Sequence, residues 1–153
     1  MNHQLSALIE GLNSKFESLM AMIPVTVDTA PNDTPKGGVY LFSSAGCPLY
    51  VGRTKRSIRD RLKDHVSITD DCPFAWHLAR EATDNMVASY KSHGSRKHLL
   101  SQSSFRGAYD RAKQEIRKME VRYVGEPDPL KQALREIYVA VATEAKHNDF
   151  DTH

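Results

Sequence analysis

Cysteine and tryptophan are almost missing from this chain of 153 residues, which has two of the first and one of the second. Cys47 and Cys72 match no metal-ligand spacing. A thiolate zinc cluster and a disulfide scaffold are thereby excluded, and two free thiols of an intracellular protein fit better than a lone disulfide. Long apolar runs are lacking too: none nears the roughly 20 residues that a helix needs to span a bilayer. The opening MNHQLSALIEGLN has neither the basic start nor the unbroken apolar centre of a secretion signal. The expectation is a cytoplasmic protein with no membrane partner. A dominant charge is also absent, since the net charge is +2. Nucleic-acid binding must therefore be argued from local clusters. No repeat or low-complexity tract is visible. What remains, 40% hydrophobic and 26% charged residues, is enough for one domain with a buried core.

Residues 4–22 place Leu5, Leu8, Ile9, Leu12, Phe16, Leu19 and Met20 at helical spacing, ended by Pro24. This helix either packs on the main domain, the simpler reading, or serves dimerisation. DTAPNDTPKG at 28–37 is a linker. Strands are expected at 38–43 and 48–52, joined by a turn with Gly46 and Pro48, and at 120–125. IRDRLKDHV after Ser57 reads as a helix with Ile58, Leu62 and Val66 inward. Further helices are expected at 73–82, 84–92 and 103–119, the last with a stripe of Phe105, Tyr109, Ala112, Ile116 and Met119. Phe74 and Trp76 read as core. Asp128 and Pro129 open a last helix at 129–144, with Leu130, Leu134, Ile137 and Val141 as its inward stripe. The fold class is α+β: a small central antiparallel sheet of about three strands, flanked by helices.

The chemistry concentrates in 28 residues. Gly38-Val39-Tyr40 and Tyr50-Val51-Gly52 flank the turn, and Arg53, Lys55, Arg56, Arg59, Arg61, Lys63 and His65 follow at once. Hydrolysing a phosphodiester needs an aimed and deprotonated water, cations on the phosphoryl oxygens, and an acid or metal at the leaving oxygen. Tyr40 and Tyr50, on adjacent strands, can share a face. A phenol near pKa 10 becomes a useful base if neighbouring arginines lower that value. Arg61 and His65, four apart, share a helical face. Glu136 lies at the border of the last helix's stripe, with Ala133 and Ala140 leaving room around its carboxylate. One carboxylate with waters and phosphate is how magnesium binds.

Together these residues resemble the GIY-YIG nuclease family. GVY and YVG stand for its two triplets, and RTKRSIRDRLKDH at 53–65 resembles its basic helix, with Arg61-Leu62 as the RL pair. Glu136 falls where its metal-binding glutamate would, and Asn148 matches the asparagine that follows. The spacings are most similar to the restriction-enzyme branch. The resemblance covers about residues 36–153. It implies a DNA endonuclease that uses a single Mg²⁺ or Mn²⁺. In that scheme Tyr40 is the general base or its positioner, supported by Tyr50 and His65. Arg61 stabilises the transition state, Glu136 holds the metal, and Asn148 orders the site around Glu136. Arg53, Lys55, Arg56, Arg59 and Lys63 would contact DNA. Arg53 stands where many members have lysine. Residues 1–35 are then a leading helix and linker, and about 66–119 a helical insertion. Lys91, Arg96, Lys97, Arg106, Arg111, Lys113, Arg117 and Lys118 either bind phosphates from the insertion or form a solvated surface. A homodimer or larger nuclease assembly is compatible. The rival readings are a non-cleaving DNA-binding module of the same fold and a protein-interaction domain.

Overall fold

The computed structural model describes residues 2–84, 95–148 and Phe150. Its elements run α1 (His3–Ala21), β1 (Lys36–Ser44), β2 (Cys47–Ser57), α2 (Ile58–Asp64), α3 (Pro73–Ala82), α4 (Arg96–Ser101), α5 (Ser103–Lys118), β3 (Glu120–Gly125) and α6 (Pro129–Thr143). The class is α+β, with one antiparallel sheet in the order β2-β1-β3. No described helix is long and apolar enough to cross a membrane. The chain divides into two compact units, residues 1–62 with 119–153, and residues 63–118.

The first unit holds the sheet. Ala45 and Gly46 both take positive φ, 50° and 77°, as a two-residue hairpin turn requires. Pro48 stands in β2, where an edge strand tolerates it. One face of the sheet presents Val39, Leu41 and Val51 to Leu19 of α1 and to Val139 and Ala140 of α6. Only the second half of α1 is covered: Leu12 and Leu19 are buried, while Leu5 and Ile9 stay exposed. Asp128 caps α6 as expected, accepting from the amides of Leu130 and Lys131 at 2.9 and 3.1 Å.

Three expectations are corrected here. Strand β2 runs on through Ser57, so Arg53, Lys55 and Arg56 lie on a strand and not on the basic helix. Helix α2 stops at Asp64, which leaves His65 and Val66 beyond it. The stripe expected to face inward on α6 faces out: Leu130, Ile137 and Val141 are 59%, 47% and 67% exposed. Its buried side carries Gln132, Arg135, Val139 and Ala140. Polar groups can occupy that side because they are paired. Arg135 Nε donates to Glu126 Oε1 at 2.8 Å and its Nη1 to the Gly11 carbonyl at 3.1 Å. Gln132 Nε2 donates to the Glu126 carbonyl at 2.6 Å. Small Ala140 then lets the helix approach the sheet, and Glu136 turns inward with it.

In the second unit α3 and α5 pack through Trp76, whose ring meets Phe105 edge-on at 4.8 Å. Phe74, Phe105, Tyr109 and Ile116 are fully buried. The guanidiniums of Arg80 and Arg96 lie 5.1 and 4.9 Å from the Trp76 ring centre. Lys113 does not belong to a solvated surface: it is buried and donates to the Thr69 carbonyl at 2.7 Å. Helix α4 begins on Ser95, whose hydroxyl accepts from the His98 amide at 3.3 Å. The helix expected at 84–92, and Lys91 with it, lies outside the described residues apart from Asp84.

Candidate active site

The two triplets are a matched pair across the hairpin. Tyr40 stands directly opposite Gly52, and Phe42 opposite Tyr50. Residues two apart on a strand share a face, so Tyr40 and Tyr50 are diagonal neighbours on the face opposite the aliphatic core. The glycine of YVG has a steric reason. A Cβ on Gly52 would overlap the hydroxyl and ring carbons of Tyr40. The phenol therefore lies flat over the backbone of β2, and no larger residue permits that. Gly38 is equally constrained: a Cβ there would strike the Val124 carbonyl and the side chain of Ile58. Tyr40 is 1% exposed, and Phe42 meets it edge-on at 5.9 Å and 87°.

Arg61 reaches this phenol from α2. The start of that helix is fixed by Thr34, whose hydroxyl accepts the Arg59 amide at 2.9 Å, and by the Pro35 carbonyl, which accepts the Ile58 amide at 3.1 Å. Arg61 donates a side-chain hydrogen bond to Tyr40. Glu136 approaches from α6, and its charge acts on both Tyr40 and Tyr50. Tyr40, Tyr50, Arg61 and Glu136, from four elements, thus share one electrostatic neighbourhood.

The arginines do not turn the phenols into ready bases. Burial raises the Tyr40 phenol well above its ordinary value, helped by Tyr50 and opposed by Arg61. Burial pushes Tyr50 up to about 12, with Glu136 adding to the rise and Arg61 opposing it. Desolvation of the phenolate outweighs one guanidinium. Both rings are protonated at neutral pH. Glu136 is also raised by burial, against the pull of Arg53. Arg53 Nε donates to Glu136 Oε2 at 2.9 Å across the β2–α6 boundary. No periodicity could reveal this pair, whose members are 83 residues apart.

The bonds of Asn148 go to the backbone of the second triplet. Its Oδ1 accepts from the Val51 amide at 2.7 Å, and its Nδ2 donates to the Val51 carbonyl at 2.8 Å. The His147 amide adds a bond to the Leu49 carbonyl at 2.8 Å. Both ends of the Asn148 amide thus pair the open edge of β2 between Tyr50 and Gly52. It is a positioning residue for the second triplet. Lys55, Arg56 and Lys63 are exposed and Arg59 is half-buried. His65 is buried and belongs to the second unit.

Among the described residues no three His, Cys, Asp or Glu side chains gather as a metal cage. Glu136 does fit a hard divalent cation. It is a partly buried carboxylate, 22% exposed, and burial destabilises its charge unless a cation is near. One such group beside water and phosphate is the donor set that Mg²⁺ accepts. No protein-family model, curated protein or solved structure matches this chain.

Proposed function

We propose that the chain is a metal-dependent DNA endonuclease of the GIY-YIG type. One observation carries this reading: two phenols, a guanidinium and a carboxylate from β1, β2, α2 and α6 act on one another in one place, beside a strand and helix rich in exposed cations. Arg53, Lys55, Arg56 and Arg59 would grip the DNA backbone, since guanidinium and ammonium groups neutralise phosphates irrespective of sequence.

The raised phenol values shape the chemistry. Tyr40 begins as a neutral phenol whose oxygen already accepts from Arg61. It orients the attacking water, and it takes a proton from that water only in its phenolate form. Arg61 supports that form and faces the charge that grows on the phosphoryl oxygens. The new bond joins water oxygen to phosphorus, the bond from phosphorus to the 3′ oxygen breaks, and the 3′ oxygen is protonated from solvent. Glu136 would hold magnesium or manganese, whose chemistry there is to offset charge on the leaving oxygen.

Supercoiled plasmid incubated with the protein and Mg²⁺ tests the reading. Nicked or linear product is expected, lost on adding a chelator and lost in Glu136→Ala and Arg61→Ala proteins that remain folded. Intact plasmid at every metal tried refutes it. DNA binding without cleavage would favour the non-cleaving module.

A further inference from the structure

Arg53 holds the carboxylate of the candidate site while lying on the strand that faces DNA in the reading above. Its Nε bonds Glu136 Oε2 at 2.9 Å, and its side chain is 43% exposed. A guanidinium has five N–H groups. This bond uses one, and the Nη edge makes no other bond among the described residues. That edge is the fork that binds a phosphate through two parallel hydrogen bonds. A cation held by Glu136 would lie on the carboxylate that Arg53 already occupies. A guanidinium and a divalent ion on the same carboxylate repel each other.

We propose that Arg53 is a latch on Glu136. In the resting protein it neutralises the carboxylate; when a divalent cation takes Glu136, Arg53 is released to a DNA phosphate. Cation and DNA then assist each other's binding, because each favours the same position of one side chain. The proposal rests on the reading of Glu136 as the cation's ligand.

The test uses the full chain as wild type, Arg53→Gln, Arg53→Lys and Glu136→Gln, each checked for folding by thermal melting. Mn²⁺ binding without DNA is followed by loss of the aqueous Mn²⁺ resonance signal. Arg53→Gln is expected to bind Mn²⁺ about two- to fivefold more tightly than wild type, the scale of a half-exposed ion pair. Arg53→Lys, which keeps the charge, is expected to stay near wild type. With a short duplex, Ca²⁺, which takes the same oxygen ligands, is expected to tighten DNA binding more in wild type than in Arg53→Gln. Mn²⁺ binding that needs Glu136 but is no tighter in Arg53→Gln overturns the latch and leaves the proposed function standing. Mn²⁺ binding unchanged in Glu136→Gln, or absent throughout, overturns both.

Discussion

Gly52→Ala is the smallest change that should dismantle the site. The added methyl group would overlap the hydroxyl, Cζ and Cε2 atoms of Tyr40. That ring is 1% exposed and braced edge-on by Phe42, so it has no free rotamer to move into. Forcing one extra carbon into a packed interior costs about 1–3 kcal/mol. For a chain of this size each kcal/mol moves the melting point by about 2–4 °C, so the expected fall is about 2–12 °C. Gly11→Ala is the control. Its Cβ would meet nothing nearer than Arg135 Nη2 at 3.9 Å, and alanine within a helix is worth about 0.5–1 kcal/mol of added stability. The decisive arm is a double-mutant cycle. In a Tyr40→Ala background the methyl group has no ring to strike, so the penalty of Gly52→Ala should shrink by about 1 kcal/mol or more. Differential scanning calorimetry reads all four proteins. An unchanged melting point in Gly52→Ala, or an equal loss with and without the Tyr40 ring, refutes the steric pairing of the two triplets.

Four further outcomes follow from the same geometry. Tyr40→Phe is expected to slow plasmid cleavage by about 10²–10⁴-fold, the range for a positioned acid–base group. In wild type the logarithm of kcat/KM should climb steadily with pH through the alkaline range, because burial holds the phenol protonated; a plateau already reached at neutral pH contradicts this. Asn148→Ala leaves both backbone groups of Val51 without their side-chain partner. A loss of about 1–3 kcal/mol is expected, with faster amide exchange at Val51; unchanged exchange sinks the clasp. Glu136→Gln should abolish cleavage yet raise the melting point of the metal-free protein at pH 7. A carboxyl raised by folding stabilises most when protonated, below its ordinary value near 4.3, and loses that contribution as pH rises through its folded value. The neutral amide escapes that loss, so the two melting curves should converge in acid and part toward neutrality; parallel curves would show that Glu136 has no such burden.

Much of the sheet was legible because strand alternation and turn chemistry are local. GVYLF, a turn around Gly46 and EVRYVG announce themselves, and so do the Asp128-Pro129 start of α6 and the core roles of Phe74 and Trp76. The buried side of α6 was not legible. Periodicity finds a stripe, but it does not say which stripe meets the sheet. Leu130, Ile137 and Val141 are the more apolar choice, yet the side that packs is the one whose polar groups have distant partners, Glu126 and the Gly11 carbonyl. Glu136 was picked out for its small neighbours, and its inward position depends on that same reversal. The sequence leaves the direction of the phenol shifts open for a related reason. Arginines near in sequence are visible on the page, whereas the desolvation that outweighs them comes from tertiary packing. Gly52 is the opposite case: the triplet was visible, and its steric cause emerged only from the register of the hairpin.

Single-turnover cleavage of supercoiled plasmid by Arg61→Ala, Glu136→Ala and the double variant bears most directly on whether these groups form one catalytic unit. If they do, each single change removes nearly all of the rate, and the double variant is scarcely slower than either alone. Folded single variants that cut at the wild-type rate would contradict the account.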